Sequence, residues 1–293
     1  MDDHEHDTDV ENGADEGSAE RLGSLDLSDE GVLEGCVEAI LLTSEKPLGA
    51  MAVAQALSLD GSGRAINQDA WGIDWESRVL AIADGIGGGE CGEIASRLAV
   101  DTLLHELTNQ GREPDTRGAE EAMGAAFEAA GESIRFSAAA RNCECMGTTL
   151  VCVVLNGSRL TLGWAGDSRA YLVRNNHARL LTHDHTFAQK LADVGAIPED
   201  AIAEHSFRNT LWNFVGLGDA SGIAEIVTLN LQSNDRLILT TDGVTGPLFE
   251  EDLARIVSQN DSPERVARKV VQASVQSGST DDATCLVAIA GTN

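Results

Sequence analysis

Residues 80–96, LAIADGIGGGECGEIAS, decide how this chain folds. An apolar run ends in Asp84-Gly85, glycines fill 87–89, and apolar residues then recur at helical spacing. That pattern predicts a strand that delivers an aspartate at its end and turns directly into a helix. Three more acidic strings lie against apolar, β-branched runs: RAINQD at 64–69, TTDGVTG at 240–246 and TDDAT at 280–284. Strand ends of this kind would carry Asp69, Asp84, Asp242 and Asp281 to a common point. Gathered carboxylates repel one another, so a fold that collects them usually neutralises them with hard cations. The four strings therefore predict a divalent-metal site.

Working outward, short strands are expected at 78–84, 147–155, 159–165, 169–174, 224–230, 235–241 and 283–290. Amphipathic helices are expected at about 93–109, 117–139, 249–258 and 263–277. Hairpin-like neighbours, with Asn156-Gly157 between two of them, favour antiparallel sheets over a doubly wound parallel sheet. Helices that arrive in pairs would cover the outer faces of a sandwich. The fold class is thus α+β, a four-layer α-β-β-α sandwich. Residues 31–57 read as a short helical extension, VLEGCVEAILLTSE and GAMAVAQAL, broken at Lys46-Pro47-Leu48, and residues 58–293 as the main domain.

The formal net charge is −28, and residues 1–30 hold twelve acids against the single base Arg21. Such a leader cannot bury enough apolar surface to offset its chain entropy and is expected to be a disordered acidic tail. The acidity elsewhere argues against nucleic acid as a partner. No signal-peptide pattern is present and no apolar run approaches the roughly 20 residues of a membrane span. The expectation is a cytoplasmic protein with no membrane contact. The six cysteines show no framework spacing and are expected to be reduced thiols.

The ordered set GSGRAINQDAW, LAIADGIGGGECGEIAS, MGTTLV, GWAGDSRAYL, LTHDHT, HSFRNTLWNFVG, LILTTDGVTG and STDDATCLV resembles the PPM family, the type 2C metal-dependent Ser/Thr protein phosphatases, in compact bacterial form. The resemblance spans about residues 56–290. It implies two packed antiparallel sheets flanked by helix pairs, with two Mn²⁺ or Mg²⁺ ions at one end. By the same resemblance Asp69, Asp84, the Gly85 carbonyl, Asp242 and Asp281 are metal ligands, and Arg64 is the phosphate clamp. Oxygen-only ligands suit Mn²⁺ or Mg²⁺ better than Zn²⁺, and a guanidinium fork grips two phosphoryl oxygens as Lys cannot. Two ions roughly 3.5–4 Å apart would ionise a shared water for in-line attack on phosphorus. The implied partners are phosphoprotein substrates, those of a Ser/Thr kinase.

Several residues depart from the family pattern. Gln68 stands where many members carry an acid, and Ile86 replaces a histidine that some members place after Asp-Gly. Gly246 occupies the place of a third-ion aspartate, so a third ion at Asp167 would bind weakly. Asp282 replaces the common Asn, adding negative charge beside Asp281. The segment 205–216 resembles the family flap: His205, Arg208, Asn209, Leu211 and Gly216 persist, while Trp212 and Phe214 either pack inward or form an apolar ledge beside a phosphopeptide. His183-Asp184-His185 is read as ordering the loop before the flap.

Cys91-x5-Arg97 matches the spacing of cysteine-dependent tyrosine phosphatases. Glu90 and Glu93 beside the cysteine, however, oppose the lowered thiol pKa that such chemistry needs. EGCVEAILLTSEKPLGAMAVAQAL resembles the opening of segregation and condensation protein B, although no third helix or wing follows. A non-catalytic regulator that binds phosphoproteins through the same sandwich is the alternative from another functional class.

Overall fold

The structure, a computed structural model, describes residues 37–39, 51–61, 66–86, 90–109, 116–143, 145–216, 223–257 and 261–290. All belong to one unit, Gly35–Asn293. In chain order the elements are β1 (Val37–Ala39), β2 (Met51–Leu59), β3 (Asp69–Asp74), β4 (Val79–Ile86), α1 (Glu90–Asn109), α2 (Thr116–Arg141), β5 (Gly147–Thr148), β6 (Leu150–Asn156) and β7 (Arg159–Ala165). Then come β8 (Arg169–Arg174), β9 (His177–Leu180), α3 (Phe187–Asp193), β10 (Val215–Gly216), β11 (Glu225–Asn230), β12 (Arg236–Thr240), α4 (Asp242–Thr245), α5 (Glu250–Val257), α6 (Pro263–Gln276) and β13 (Ala283–Ala290).

The strands form two sheets, and every pairing within them is antiparallel. One sheet runs β1-β2-β13-β12-β8-β9; the other runs β10-β5-β4-β6-β7-β11, with β3 also paired to β4. Strand alternation builds the layers. On β4, Leu80 and Ile82 point into the core between the sheets, beside Leu172, Leu237, Leu239 and Leu286. Their neighbours Val79, Ala81 and Ala83 point the other way, into a second core with Leu103, Met123, Phe127 and Ile134 of α1 and α2. Helix α6 packs on β13 and β2 across the opposite sheet. This is the α-β-β-α order expected from the sequence.

Local chemistry fixes several boundaries. Asn156-Gly157 closes the β6–β7 hairpin, with Gly157 at φ 58° and Asn156 paired to Arg159. Ser262 caps α6 by accepting the Arg265 N–H, and Pro263 follows at the first helical position. Asn175 and Asn176, both at positive φ, turn β8 into β9.

Two expectations need correction. The second helix of the 31–57 extension is instead β2, which pairs with β13 from Leu59↔Ala283 onward, and Val37–Ala39 pairs with β2. Ala, Gln and Leu favour a helix in isolation, but the open edge of β13 offers a full ladder of hydrogen bonds that outweighs so weak a propensity. The sheet therefore begins before residue 58, and β2 occupies the place of the second helix in the resemblance to segregation and condensation protein B. The expected tail at 1–30 and the Lys46-Pro47-Leu48 break lie outside the described residues.

The cysteines also differ from expectation. Cys91 and Cys143 form a disulfide across a sequence separation of 52. Helices α1 and α2 pack against each other, and the bond joins the first turn of α1 to the connection that follows α2. Nothing in the spacing of the cysteines reveals that meeting.

Candidate metal centre

Asp69, Asp84, Asp167 and Asp242 converge because the strand ends and the link that carry them share one end of the sandwich. Asp69 opens β3 directly opposite Asp84 near the end of β4, and cross-strand partners share a face. Both have the strand parity of Ile82 and Trp71, which line the core between the sheets. On the facing sheet, β12 stops at Thr240, two residues before Asp242, and β13 starts at Ala283, two residues after Asp281; Thr240 pairs with Cys285. Asp167 sits in the short link through which the chain passes from β7 in one sheet to β8 in the other.

The electrostatics record the crowding. Burial pushes the Asp69 carboxyl up to about 8; the hydroxyls of Thr284 and Thr241 pull it down, and nearby Asp242 and Asp282 raise it further. Burial also drives Asp84 well above the usual carboxylate range, with Asp242, Asp69 and Asp167 adding repulsion. Asp167 rises for the same first reason, then through Asp242 and Asp184. Carboxylates that resist ionisation until a positive charge joins them are the expected signature of an acidic cation site.

Hydroxyls hold the cluster in place. Asp69 Oδ2 accepts from Thr284 Oγ1 at 2.6 Å and from Thr241 Oγ1 at 2.8 Å. Its Oδ1 is buried with no hydrogen-bond partner among the described residues. An ordinary structural aspartate would not leave that oxygen unmatched. The Asp84 N–H donates to Thr149 Oγ1 at 2.8 Å, and Thr149 shares a 2.7 Å hydrogen bond with Ser168 beside Asp167. Among the described residues no three His, Cys, Asp or Glu side chains stand arranged as a finished metal cage. The donor set is nevertheless all oxygen, acidic, buried at Asp69 and half-buried at the other aspartates, and supplied with an unsatisfied lone pair, which fits Mn²⁺ or Mg²⁺.

Gly85 donates its N–H to the Gln68 carbonyl at 3.0 Å. A Cβ on Gly85 would collide with the Gly92 carbonyl, and one on Gly92 would lie 2.9 Å from the Gly85 oxygen. The first turn of α1 thus lies directly against the Gly85 carbonyl, and neither position has space for a side chain. Asp281 stands partly buried before β13, its Oδ1 accepting the Asp282 N–H at 2.8 Å. Arg64 lies outside the described residues.

Asp282 plays a part that its position beside Asp281 does not advertise. Its Oδ1 accepts the Gly61 N–H at 2.6 Å and its Oδ2 the Gln68 N–H at 2.8 Å. Across more than two hundred residues of sequence it fastens the chain ahead of Asp69 to the start of β13.

The flap residues do not join the aspartates. Arg208 and Asn209 are exposed, and His205 Nδ1 accepts the Phe207 N–H at 3.1 Å. Trp212, 40% exposed, lies 4.9 Å from the His185 ring with Lys190 Nζ 4.6 Å over its face. His185 links this ledge to the cluster. Its Nδ1 accepts the Gly166 N–H at 3.1 Å, which places the ring proton on Nε2, 3.1 Å from Glu225 Oε1. Asn213 Nδ2 approaches the same Nδ1 at 3.0 Å, and the Trp212 N–H donates to the His185 carbonyl at 2.9 Å. Arg169 pairs with Asp184 at 2.6 Å beside it. His183-Asp184-His185 therefore orders the segment leading into the flap.

Thr241, Thr284, Thr149 and Ser168 are the site residues that the sequence reading passed over. Thr241, Thr284 and Ser168 sit within one to three residues of a candidate aspartate, the one signal by which they could have been found, whereas Thr149 is distant in sequence from all of them and lies in the MGTTLV string.

An antiparallel α-β-β-α sandwich with a buried carboxylate cluster at one end defines a recognisable class. Residues 62–279 match the model of the family Protein phosphatase 2C, and the chain belongs to that family. It is 30% identical over 234 residues to serine/threonine protein phosphatase PstP of Mycobacterium tuberculosis, covering 78% of this chain and 43% of that protein. Against serine/threonine phosphatase stp of Listeria welshimeri it is 28% identical over 239 residues, covering 78% of this chain and 91% of the relative. The solved catalytic domain of PstP in complex with two manganese ions superposes with a TM-score of 0.71 at 29% identity, over 82% of this chain and 98% of that domain.

Proposed function

We propose that the chain is a metal-dependent protein phosphatase that hydrolyses phosphoserine and phosphothreonine in proteins, those phosphorylated by a Ser/Thr kinase included. The convergence of Asp69, Asp84, Asp167 and Asp242 from separate connections, with the unmatched Asp69 Oδ1, supports this reading most directly. Asp69, Asp84, the Gly85 carbonyl, Asp242 and Asp281 would hold two Mn²⁺ or Mg²⁺ ions, and Asp167 a weak third. Family membership and the manganese-bound PstP neighbour support a two-ion requirement.

When bound, such a pair acidifies water and stabilises charge on phosphoryl oxygens. The chain's own residues supply the rest. Thr241 and Thr284 hold Asp69 by one oxygen and leave the other without a hydrogen bond among the described residues. Thr149 and Ser168 fix the Asp84 backbone beside the Asp167 link. Arg64 would grip two phosphoryl oxygens, orienting the ester and screening its charge. Trp212 and Lys190 offer the peptide flanking the phosphoresidue an apolar face with a positive edge.

The test is phosphate release from a phosphothreonyl peptide. Turnover that requires Mn²⁺, stops in EDTA and disappears in Asp84→Asn and Asp242→Asn is expected. Turnover that persists in chelator would overturn the metal reading. Measurable phosphopeptide affinity without turnover in excess Mn²⁺ would instead mark a non-catalytic regulator.

A further inference from the structure

Five cysteines fall within the described residues, in three environments. Cys152 and Cys285 are buried in strands, and burial raises both thiols, which keeps them inert. Cys145 is exposed and free. Cys91 and Cys143 are partly exposed and bonded to each other. The bond lies at a sensitive place. Cys91 is in the first turn of α1, next to Gly92, where an added Cβ would run into both the Gly85 carbonyl and the Gln68 side chain. Cys143 follows α2, four residues before the Gly147 that pairs with Ile86 on β4. Each bonded residue therefore stands within four residues of a glycine that packs on or pairs with the end of β4.

We propose that the Cys91–Cys143 disulfide is a reversible thiol-modification site, a latch that holds the first turn of α1 against the Gly85 carbonyl and so sets the cluster's affinity for divalent cations. Only its consequence for metal rests on the phosphatase reading. A dithiol opens the latch in two steps. One of its thiolates attacks a protein sulfur, forming a mixed disulfide and expelling the other protein sulfur as thiolate. The dithiol's second sulfur then closes on the first, releasing the second protein thiolate. Two electrons pass from dithiol to protein, and solvent protonates both cysteines. The two residues are only partly buried, which gives the reagent its access. Closed, the latch fixes Gly92 on Gly85; open, α1 frays from its first turn and the carbonyl loses its backing.

Peptide mass mapping of the full-length Cys145→Ser chain, after oxidised glutathione and after dithiothreitol, reads the bond directly. The cysteine substitution removes the exposed thiol that could reshuffle the bond. Mn²⁺ calorimetry and amide hydrogen exchange over 85–96 then read its effect on both forms and on Cys91→Ser. The expected result is a 91–143 cross-linked peptide, a roughly three- to ten-fold weaker Mn²⁺ Kd on reduction or substitution, and at least roughly ten-fold faster exchange at Ile94 and Ala95, whose N–H groups donate to the first-turn carbonyls of α1. Failure to form the cross-link overturns the proposal, as does unchanged exchange at Ile94 and Ala95. If exchange responds while neither form binds Mn²⁺, the latch stands and the metal reading falls. If both forms bind Mn²⁺ equally, the metal reading stands and the latch does not control it.

Discussion

The Asp69 carboxyl concentrates the site's chemistry at a single residue. Folded and metal-free, it keeps its proton up to about pH 8, while an ordinary aspartate loses its proton near 3.8. Between those values the folded state binds more protons than the unfolded chain, so stability falls as pH rises through that window. Asp84 and Asp167 are raised as well and act with the same sign. The EDTA-treated protein should therefore melt at a lower temperature at pH 8.5 than at pH 5.5. Asp69→Asn should reduce that slope, and Mn²⁺ should stabilise the wild type more at the higher pH. A melting temperature that rises with pH in the metal-free protein would contradict the burial described for these carboxylates. Asp282 makes a separate prediction at this scale. Alanine there strands two backbone N–H donors and should cost about 2–4 kcal/mol in urea unfolding, with Asn costing roughly half as much. A loss below about 0.5 kcal/mol would mean that the contacts to Gly61 and Gln68 do not hold the chain ahead of Asp69.

The elements divide into those the sequence spells out and those it does not. Strands β4, β6, β7 and β8 and helices α1, α2 and α6 fall close to their expected limits, because each carries its own period and its own turn residues. Asn156-Gly157 and Ser262-Pro263 are punctuation that acts locally. β2 is different: VAQALSL takes its conformation from β13, more than two hundred residues later. The two-residue strand β10 is too brief to carry a period, and in β3, DAWGID, two aspartates and a glycine obscure the alternation. Asp69, Asp84 and Asp242 stand out in the sequence because each lies at a strand end, whereas the threonines that hold Asp69 and the Asp84 backbone do not, since Thr is ordinary in strands. Asp282 read as surplus charge because its two backbone partners lie far away in sequence. The flap gives an element-scale test. Trp212 packs on His185 and under Lys190 but does not touch the aspartates. Trp212→Ala should lower kcat/KM for a phosphopeptide more than for p-nitrophenyl phosphate. Equal losses on both would place the tryptophan's role in packing alone.

At the scale of the molecule, the two sheets serve as a frame that brings distant connections to one edge. The core between the sheets and the core under α1 and α2 share β4, so the strand bearing Asp84 is gripped on both faces. Rigidity of that kind lets a fold hold like charges together at a cost spread over many contacts. The formal charge of −28 adds a general repulsion to the local one. Salt screens exposed charges over a Debye length that shrinks from roughly 10 Å at 0.1 M to 3 Å at 1 M. The metal-free chain should therefore gain melting temperature across that range, and a flat response would show that its charges are already dispersed. No helix among the described residues is long and apolar enough to cross a membrane. The most direct test of the whole arrangement is the number of Mn²⁺ ions bound per chain at equilibrium, measured by dialysis and metal analysis. Two ions for the wild type, falling to one or none in Asp84→Asn and Asp242→Asn, is the expected result. A wild-type chain that binds no Mn²⁺ at millimolar concentration would contradict it.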